Sequence, residues 1–322
     1  MDYERLAEKA LAGFLLTQEE MASVLHAPDR ALLPLLQAAF LVRRHYYGKR
    51  VQLHVLMNAK SGLCPEDCAY CSQSRISSAP IEKYPLLPRE RIVEGAKKAR
   101  EAGAYRYCIV TSGRGPTEQE VEEIAGIVLE IKKAVDIRIC CSLGLLTEGK
   151  AQRLKEAGVE RINHNLNTSQ RFYPRICTTH TYDDRVETLK NVRKVGLSTC
   201  CGGIIGMGET DQDLIDFALA LRELDVDSIP LNFLHPIPGT PLATASYLTP
   251  ERCLKALCLL RFLNPSKEIR VAGGRELNLR SMQALALYPA NSLFVNGYLT
   301  TPGQRASEAH RMIEDMGFEI EG

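Results

Sequence analysis

A (β/α)8 barrel with an N-terminal helical extension is the fold this sequence predicts. From about residue 51 onward, eight short β-rich runs alternate with longer amphipathic stretches. Together these units fill about 250 residues, the usual size of such a barrel. Residues 1–50 show no β-rich run and space their apolar residues as helices do. An open doubly wound sheet, built from the same units, is the runner-up.

In the extension, "TQEEMASVL" has the form of a capping box, with Thr17 as the cap and Glu20 three residues on. The following "LLPLLQAAFL" (32–41) is read as a helix packed under the barrel. The strands are expected at 51–58, 106–112, 137–143, 161–167, 198–205, 228–234, 269–273 and 292–297. They consist of β-branched and aromatic runs such as "RYCIVTS" and "SIPLNFL". Helix patterns lie between them, including "TEQEVEEIAGIVLEIKKA", "YDDRVETLKNVRKVG" and "LNLRSMQALALY". Several open with Thr, Asp or Pro and three close with Ala-Gly or Val-Gly, which suits their caps. No repeat and no glycine-serine linker divides the chain. The expected organisation is an extension over 1–50 and a single barrel domain over 51–322 that ends in a C-terminal helix.

The 322 residues carry 40 Lys and Arg against 39 Asp and Glu, a formal net charge of +1. Such a balance offers no basic field for nucleic acid or for a membrane surface. The N-terminus has acidic residues where a secretory leader has basic ones, and no apolar run is long enough to span a bilayer. The expectation is a cytoplasmic protein. Eleven cysteines, an odd number, then argue for thiol or metal chemistry rather than disulfides.

"GLCPEDCAYCSQS" (62–74) places Cys64, Cys68 and Cys71 in a C-x3-C-x2-C run directly after the first strand. In a barrel that position is a βα loop at the C-terminal mouth, where active sites are built. Three thiolates can hold three corners of a cubane iron–sulfur cluster and leave one iron open to a ligand. A zinc site completed by a distant residue is the alternative. A second set follows. Cys108, the pair Cys140 and Cys141, and the pair Cys200 and Cys201 fall on three predicted strands, read as neighbours. Alternation along a strand lets one member of each pair face inward, so one inward thiol per strand is expected to make a metal site. Cys177, Cys253 and Cys258 are read as packing or idle thiols. "RINHNLNTS" offers Asn163, Asn165 and Asn167 on one face, "SIPLNFL" offers Asn232, and "IRVAGGRE" offers Arg270 with Arg275 as its local competitor. A barrel lumen usually packs Val, Ile and Leu, so inward carboxamides need hydrogen-bond partners. His164 falls on the opposite parity and is read as structural.

C-x3-C-x2-C with Tyr70 before the third cysteine resembles the radical S-adenosylmethionine (SAM) superfamily. Within it, "SGLCPEDCAYCSQS", "RYCIVTSGRGP", "ICCSLG", "INHNLNTS", "CCGGIIGMGET", "IPLNFL", "GTPL" and "IRVAGGRE" resemble the biotin synthase family over about residues 15–320. The resemblance implies a [4Fe–4S] cluster on Cys64, Cys68 and Cys71, with SAM on its open iron and Tyr70 near the adenine. It also implies a [2Fe–2S] cluster on Cys108, Cys140, Cys200 and Arg270, leaving Cys141 and Cys201 as core or backup thiols. Arginine is an unusual ligand, being a cation without an acceptor, and a charge-partner role is the conservative reading. The implied reaction inserts sulfur into dethiobiotin through a 5′-deoxyadenosyl radical. Asn165, Asn167 and Glu209 are the SAM candidates, with Glu209 alternatively capping the next helix. Asn163, Asn165 and Asn232 are the candidates for dethiobiotin. An electron-donor protein of flavodoxin or ferredoxin type and a homodimer are implied as well. Other radical SAM enzymes, such as a methylornithine synthase or a hydrogenase-maturation protein, remain open at this point.

Overall fold

The computed structural model describes residues 2–322. Three helices come first: α1 (Tyr3–Leu11), α2 (Gln18–Leu25) and α3 (Leu32–Tyr47). Alternating units follow: β1 (Arg50–Lys60), α4 (Arg89–Glu101), β2 (Arg106–Thr111), α5 (Glu118–Ala134), β3 (Arg138–Ser142), α6 (Glu148–Glu156), β4 (Arg161–Asn163) and α7 (Tyr182–Lys194). Then come β5 (Ser198–Cys200), β6 (Gly203–Ile205), α8 (Asp211–Glu223), β7 (Ser228–Phe233), α9 (Pro250–Leu263), β8 (Glu268–Val271), α10 (Arg275–Leu279), β9 (Ser292–Phe294), α11 (Ala306–Asp315) and β10 (Glu319–Glu321). The strands are parallel in the order β1-β2-β3-β4-β5-β7-β8-β9, and β9 pairs back onto β1. That last pairing closes the barrel and excludes the open sheet.

Local chemistry starts the helices where the sequence indicates. Thr17, Thr117, Thr181 and Thr210 each cap a helix and complete a capping box with the acidic residue three positions on. Each box satisfies two otherwise orphaned backbone donors. The extension packs through α2 and α3 onto α9. Buried Arg43 ties α3 to the barrel by donating to the carbonyls of Ala290 (3.2 Å) and Arg50 (2.7 Å).

Strand alternation divides the barrel into two unlike faces. Ile109, Ile139, Cys141, Ile162, Cys201, Ile229, Ile269, Val271 and Leu293 are buried in the apolar core that meets the helices. By parity the other face carries His54, Arg106, Cys108, Cys140, Arg161, Cys200, Ser228, Glu268, Arg270 and Ser292, all buried as well. The lumen is thus filled with thiols, hydroxyls and charges where such barrels usually place branched aliphatics.

Four expectations change. The run 198–205 forms one stave split into β5 and β6 at Cys201 and Gly202. The run 161–167 stops being a strand after Asn163, and Asn167 takes a left-handed φ of 71° that asparagine tolerates. The helix expected over "LNLRSMQALALY" divides into short α10 and a 3-10 stretch (Arg280–Leu287), because Arg280 adopts a φ of 52°. Finally β10, too short to show a pattern, pairs with β1 at Arg50–Gln52 on the edge that β2 occupies further along. No helix among the described residues is long and apolar enough to cross a membrane.

The split stave depends on a close approach. A Cβ built on Gly202 would stand 1.8 Å from the Pro230 carbonyl oxygen. Gly202→Ala is expected to destabilise the fold by about 1–3 kcal/mol, the usual range for overpacking. Denaturant unfolding checks it; an unchanged midpoint would mean that β5 and β7 can part without cost.

Candidate active site

The loop after β1 brings Cys64, Cys68 and Cys71 to the wall of a cavity of ≈ 380 Å³ at the C-terminal mouth. Backbone contacts shape this loop. Ser61 and Tyr84 pair, Gly62 N–H donates to the Gln73 side chain (2.9 Å), and Ala69 N–H donates to the Ile176 carbonyl (2.8 Å). Ser74 N–H donates to the Cys71 carbonyl (3.2 Å), closing a turn at the end of the cysteine run. Burial raises the Cys64 thiol and pushes Cys71 up to about 11. Metal-free, these sulfurs therefore keep their protons, and a cationic cluster iron would displace them.

Cys177, read as a packing or idle thiol, is buried in an apolar cluster with Phe172, Tyr173 and Ile176, beside the mouth loop. Its Sγ lies 3.8 Å from Cys68 Sγ, 3.3 Å from His180 Nδ1 and 3.3 Å from Asp67 Oδ1. The ligand atoms of Cys68, Cys177 and His180 all lie within 4.8 Å of one another, a spacing suited to one ion. A cluster spreads its thiolates over separate irons, so Cys64 and Cys71 stand outside that group. His180 Nε2 accepts from Arg185 Nη2 (2.7 Å), which leaves Nδ1 to donate to the Glu66 carboxylate. "CTTH" (177–180), two ligand types three residues apart, was the available signal.

Deeper in the lumen, Cys108 lies beside Cys140 in the β2–β3 register, and Cys200 lies beside Asn163 and Ser228. The three cysteine strands are not all neighbours: β4 stands between β3 and β5. It contributes Asn163, whose Nδ2 lies 3.2 Å from Cys200 Sγ, and Arg161. A hydrogen bond from Cys108 lowers the Cys140 thiol to about 7 against the cost of burial, helped by Arg106, Arg161 and Arg270. The same bond, with burial, raises Cys108. Arg270 aims Nη1 at Cys200 Sγ (3.6 Å) and donates Nε to Ser292 Oγ (3.0 Å) and Nη2 to Ser228 Oγ (3.0 Å) and to Glu268. Arg275 instead bonds Gln283, Gln304 and the Phe294 carbonyl, so only Arg270 reaches the cysteines. Glu268 also holds Arg161 (2.5 Å) and His54 (3.2 Å). Burial and the Arg270 charge push His54 down to about 3 and keep it neutral. Around these thiols, Arg161 and Arg270 share Glu268, Arg106 has Glu160 at 3.6 Å, and Arg106 Nε is buried without a partner. Such a surplus of positive charge suits an anionic cluster on Cys108, Cys140 and Cys200.

The asparagines join these two regions. Asn163 accepts from Ser142 Oγ (3.1 Å) and donates to Asn165 Oδ1 (3.0 Å), which also takes Gly202 N–H (3.0 Å). Asn167 donates to the Tyr70 hydroxyl (2.7 Å). Asn232 bridges the Gly203 carbonyl (3.1 Å) and Gly273 N–H (2.9 Å). Tyr70 and all four asparagines line the cavity although the strand bends after Asn163. His164 lines it too, with a buried, unpartnered Nε2, so parity on a straight strand misplaced it. Glu209 stays off the wall: its carboxylate accepts Gly206 N–H (2.6 Å) and Met207 N–H (2.7 Å), and Thr210 caps α8.

Residues 60–221 match the Radical SAM superfamily and residues 230–319 the Biotin and Thiamin Synthesis associated domain. The biotin synthase of Bacillus subtilis (strain 168) is 57% identical over 98% of this chain and 94% of its own length. That of Geobacillus thermodenitrificans (strain NG80-2) is 55% identical over 98% and 95%. The chain belongs to the biotin synthase family. Among solved structures, methylornithine synthase superposes with a TM-score of 0.85 at 21% identity, over 98% of this chain and 97% of that one. The hydrogenase maturase HydG of Carboxydothermus hydrogenoformans gives 0.83 at 20%, over 99% and 79%. These two share the fold. A biotin synthase is a radical SAM enzyme, so SAM, a [4Fe–4S] cluster and a [2Fe–2S] cluster are the groups this cavity must accommodate. The donor sets fit them, with the thiols of the mouth loop at one end and the thiols beside three arginines at the other.

Proposed function

We propose that Cys64, Cys68 and Cys71 hold the [4Fe–4S] cluster with which this chain converts dethiobiotin to biotin, and that Cys108, Cys140, Cys200 and Arg270 hold the [2Fe–2S] cluster. When bound, the first cluster supplies the electron that splits SAM into methionine and a 5′-deoxyadenosyl radical, and the second supplies the sulfur. The observation that carries this reading is the cavity itself: Cys64, Cys68, Cys71, Cys108 and Arg270 line one continuous wall.

The chain's own residues bind and orient. Tyr70, fixed by Asn167, offers its ring to the adenine. Asn165 and Asn167 face the SAM ribose. Glu209 shapes the glycine-rich turn through Gly206 and Met207 rather than touching the SAM amino group. Asn163, Asn165 and Asn232 present both donor and acceptor to the ureido ring, which has N–H and C=O groups of its own. The two carbons that react need no general acid–base group, because a radical removes their hydrogens.

A one-electron donor of flavodoxin or ferredoxin type, a homodimer and a cytoplasmic setting complete the reading. Exposed Phe14, Leu15 and Leu33 on the extension supply apolar surface for a second copy. The extension over 1–50 and the barrel over 51–322 are proposed to fold as one unit through the α3–α9 contact.

Anaerobic incubation with dethiobiotin, SAM and a reductant tests the reading, with mass detection of biotin and 5′-deoxyadenosine and an iron and sulfide count. Both products from protein carrying two clusters are expected. 5′-Deoxyadenosine without biotin, from protein carrying one cluster, would point to a different radical SAM reaction.

A further inference from the structure

Arg270 is held from behind, and the residue that holds it is Glu268. The two lie two apart on β8, so both point into the lumen. Of the three guanidinium nitrogens, Nε is taken by Ser292 and Nη2 by Ser228 and Glu268. Nη1 alone faces Cys200 Sγ. Glu268 is 5% exposed and divides its carboxylate, with Oε1 toward Arg270 and His54 and Oε2 toward Arg161. It is shared by Arg161 and Arg270, while Arg106 has Glu160 at 3.6 Å. A fork whose far side is anchored by a carboxylate presents one nitrogen in one orientation.

We propose that Glu268 is a positioning residue for the second cluster: it turns Arg270 so that Nη1 faces the cysteine set, and it sets the charge against which that cluster takes up an electron. The inference rests on the assignment of Arg270 to that cluster. Partners behind a ligand orient it and tune its metal, and losing one usually costs about 10–100-fold in affinity or activity. Removing the carboxylate removes negative charge near the cluster, so the reduced form becomes easier to reach.

Spectroelectrochemical titration of the second cluster in the reconstituted full-length chain tests this, with Glu268→Gln and Arg270→Met measured beside the parent. Glu268→Gln is expected to shift the midpoint to more positive potential and to lower biotin formed per 5′-deoxyadenosine by about tenfold or more. An unshifted midpoint in Glu268→Gln, with a shifted one in Arg270→Met, overturns the role of Glu268 and leaves the cluster assignment standing. Unshifted midpoints in both variants remove Arg270 from the site and the proposal with it. If Glu268→Gln does not fold, Arg161→Met with Glu268→Gln is used in its place; the charge change then cancels, so biotin per 5′-deoxyadenosine and the absorption spectrum of the second cluster are read, a fall with an altered spectrum supporting the positioning role and parent values for both overturning it.

Discussion

Replacing Cys64 with alanine is expected to abolish reductive cleavage of SAM, with 5′-deoxyadenosine falling below detection and biotin with it. Cys64 is one of the three mouth-loop thiols proposed to hold the cluster. Its neighbour Cys68 has the Cys177 thiol 3.8 Å away, so Cys68→Ala leaves a second sulfur within reach of the vacated corner. Without Cys64, only Cys68 and Cys71 remain on the loop to hold a cubane, and a cluster short of a thiolate loses iron. The fold should tolerate the change. Cys64 is half-buried, and replacements at such positions usually stay within about 1 kcal/mol. Anaerobic reconstitution, an iron count and mass detection of 5′-deoxyadenosine check the outcome, with circular dichroism to show the barrel intact. Full cleavage by the Cys64→Ala protein would move the cluster elsewhere, and the compact group of Cys68, Cys177 and His180 would be the place to look.

The loop was legible because its three cysteines lie within eight residues of sequence, and the staves were legible because alternation is local. Thr17, Thr117, Thr181 and Thr210 announce their helices by the acidic residue three positions on, another short-range signal. What escaped was made by contacts far apart in the chain. Glu268 meets Arg161 across 107 positions, and Cys177 meets Cys68 across 109. Neither pair leaves a periodic trace. The reading of Asn163, Asn165 and Asn167 as one face succeeded in part for the wrong reason. They line the cavity because the chain bends after β4 and Asn167 adopts a left-handed conformation, and the same bend brings His164 to the wall. Glu209 shows a further limit. Residue type suggested a ligand contact, while backbone N–H groups nearby already engage its carboxylate, which only coordinates reveal.

Cys140→Ala is expected to part the two halves of the reaction: SAM cleavage persists while biotin formation is lost. The mouth loop does not touch Cys140, so the radical-forming end keeps its ligands. The lumen set is a different matter. The Cys140 thiol is drawn down, against burial, by Cys108 beside it and by Arg106, Arg161 and Arg270. It also sits between its partners in the ring, beside Cys108 across β2 and β3 and separated from Cys200 by β4. Its loss leaves Cys108 and Cys200 on strands that do not pair, too few sulfurs to retain a cluster from which sulfur can be taken. Removing one buried sulfur costs about 1 kcal/mol of stability, so a folded, iron-loaded protein should survive with the mouth cluster alone. The ratio of biotin to 5′-deoxyadenosine under single-turnover conditions decides the matter, because fold damage lowers both products and loss of the sulfur source lowers one. A Cys140→Ala protein that makes both in the parent's ratio would mean that the sulfur comes from somewhere other than the lumen thiols.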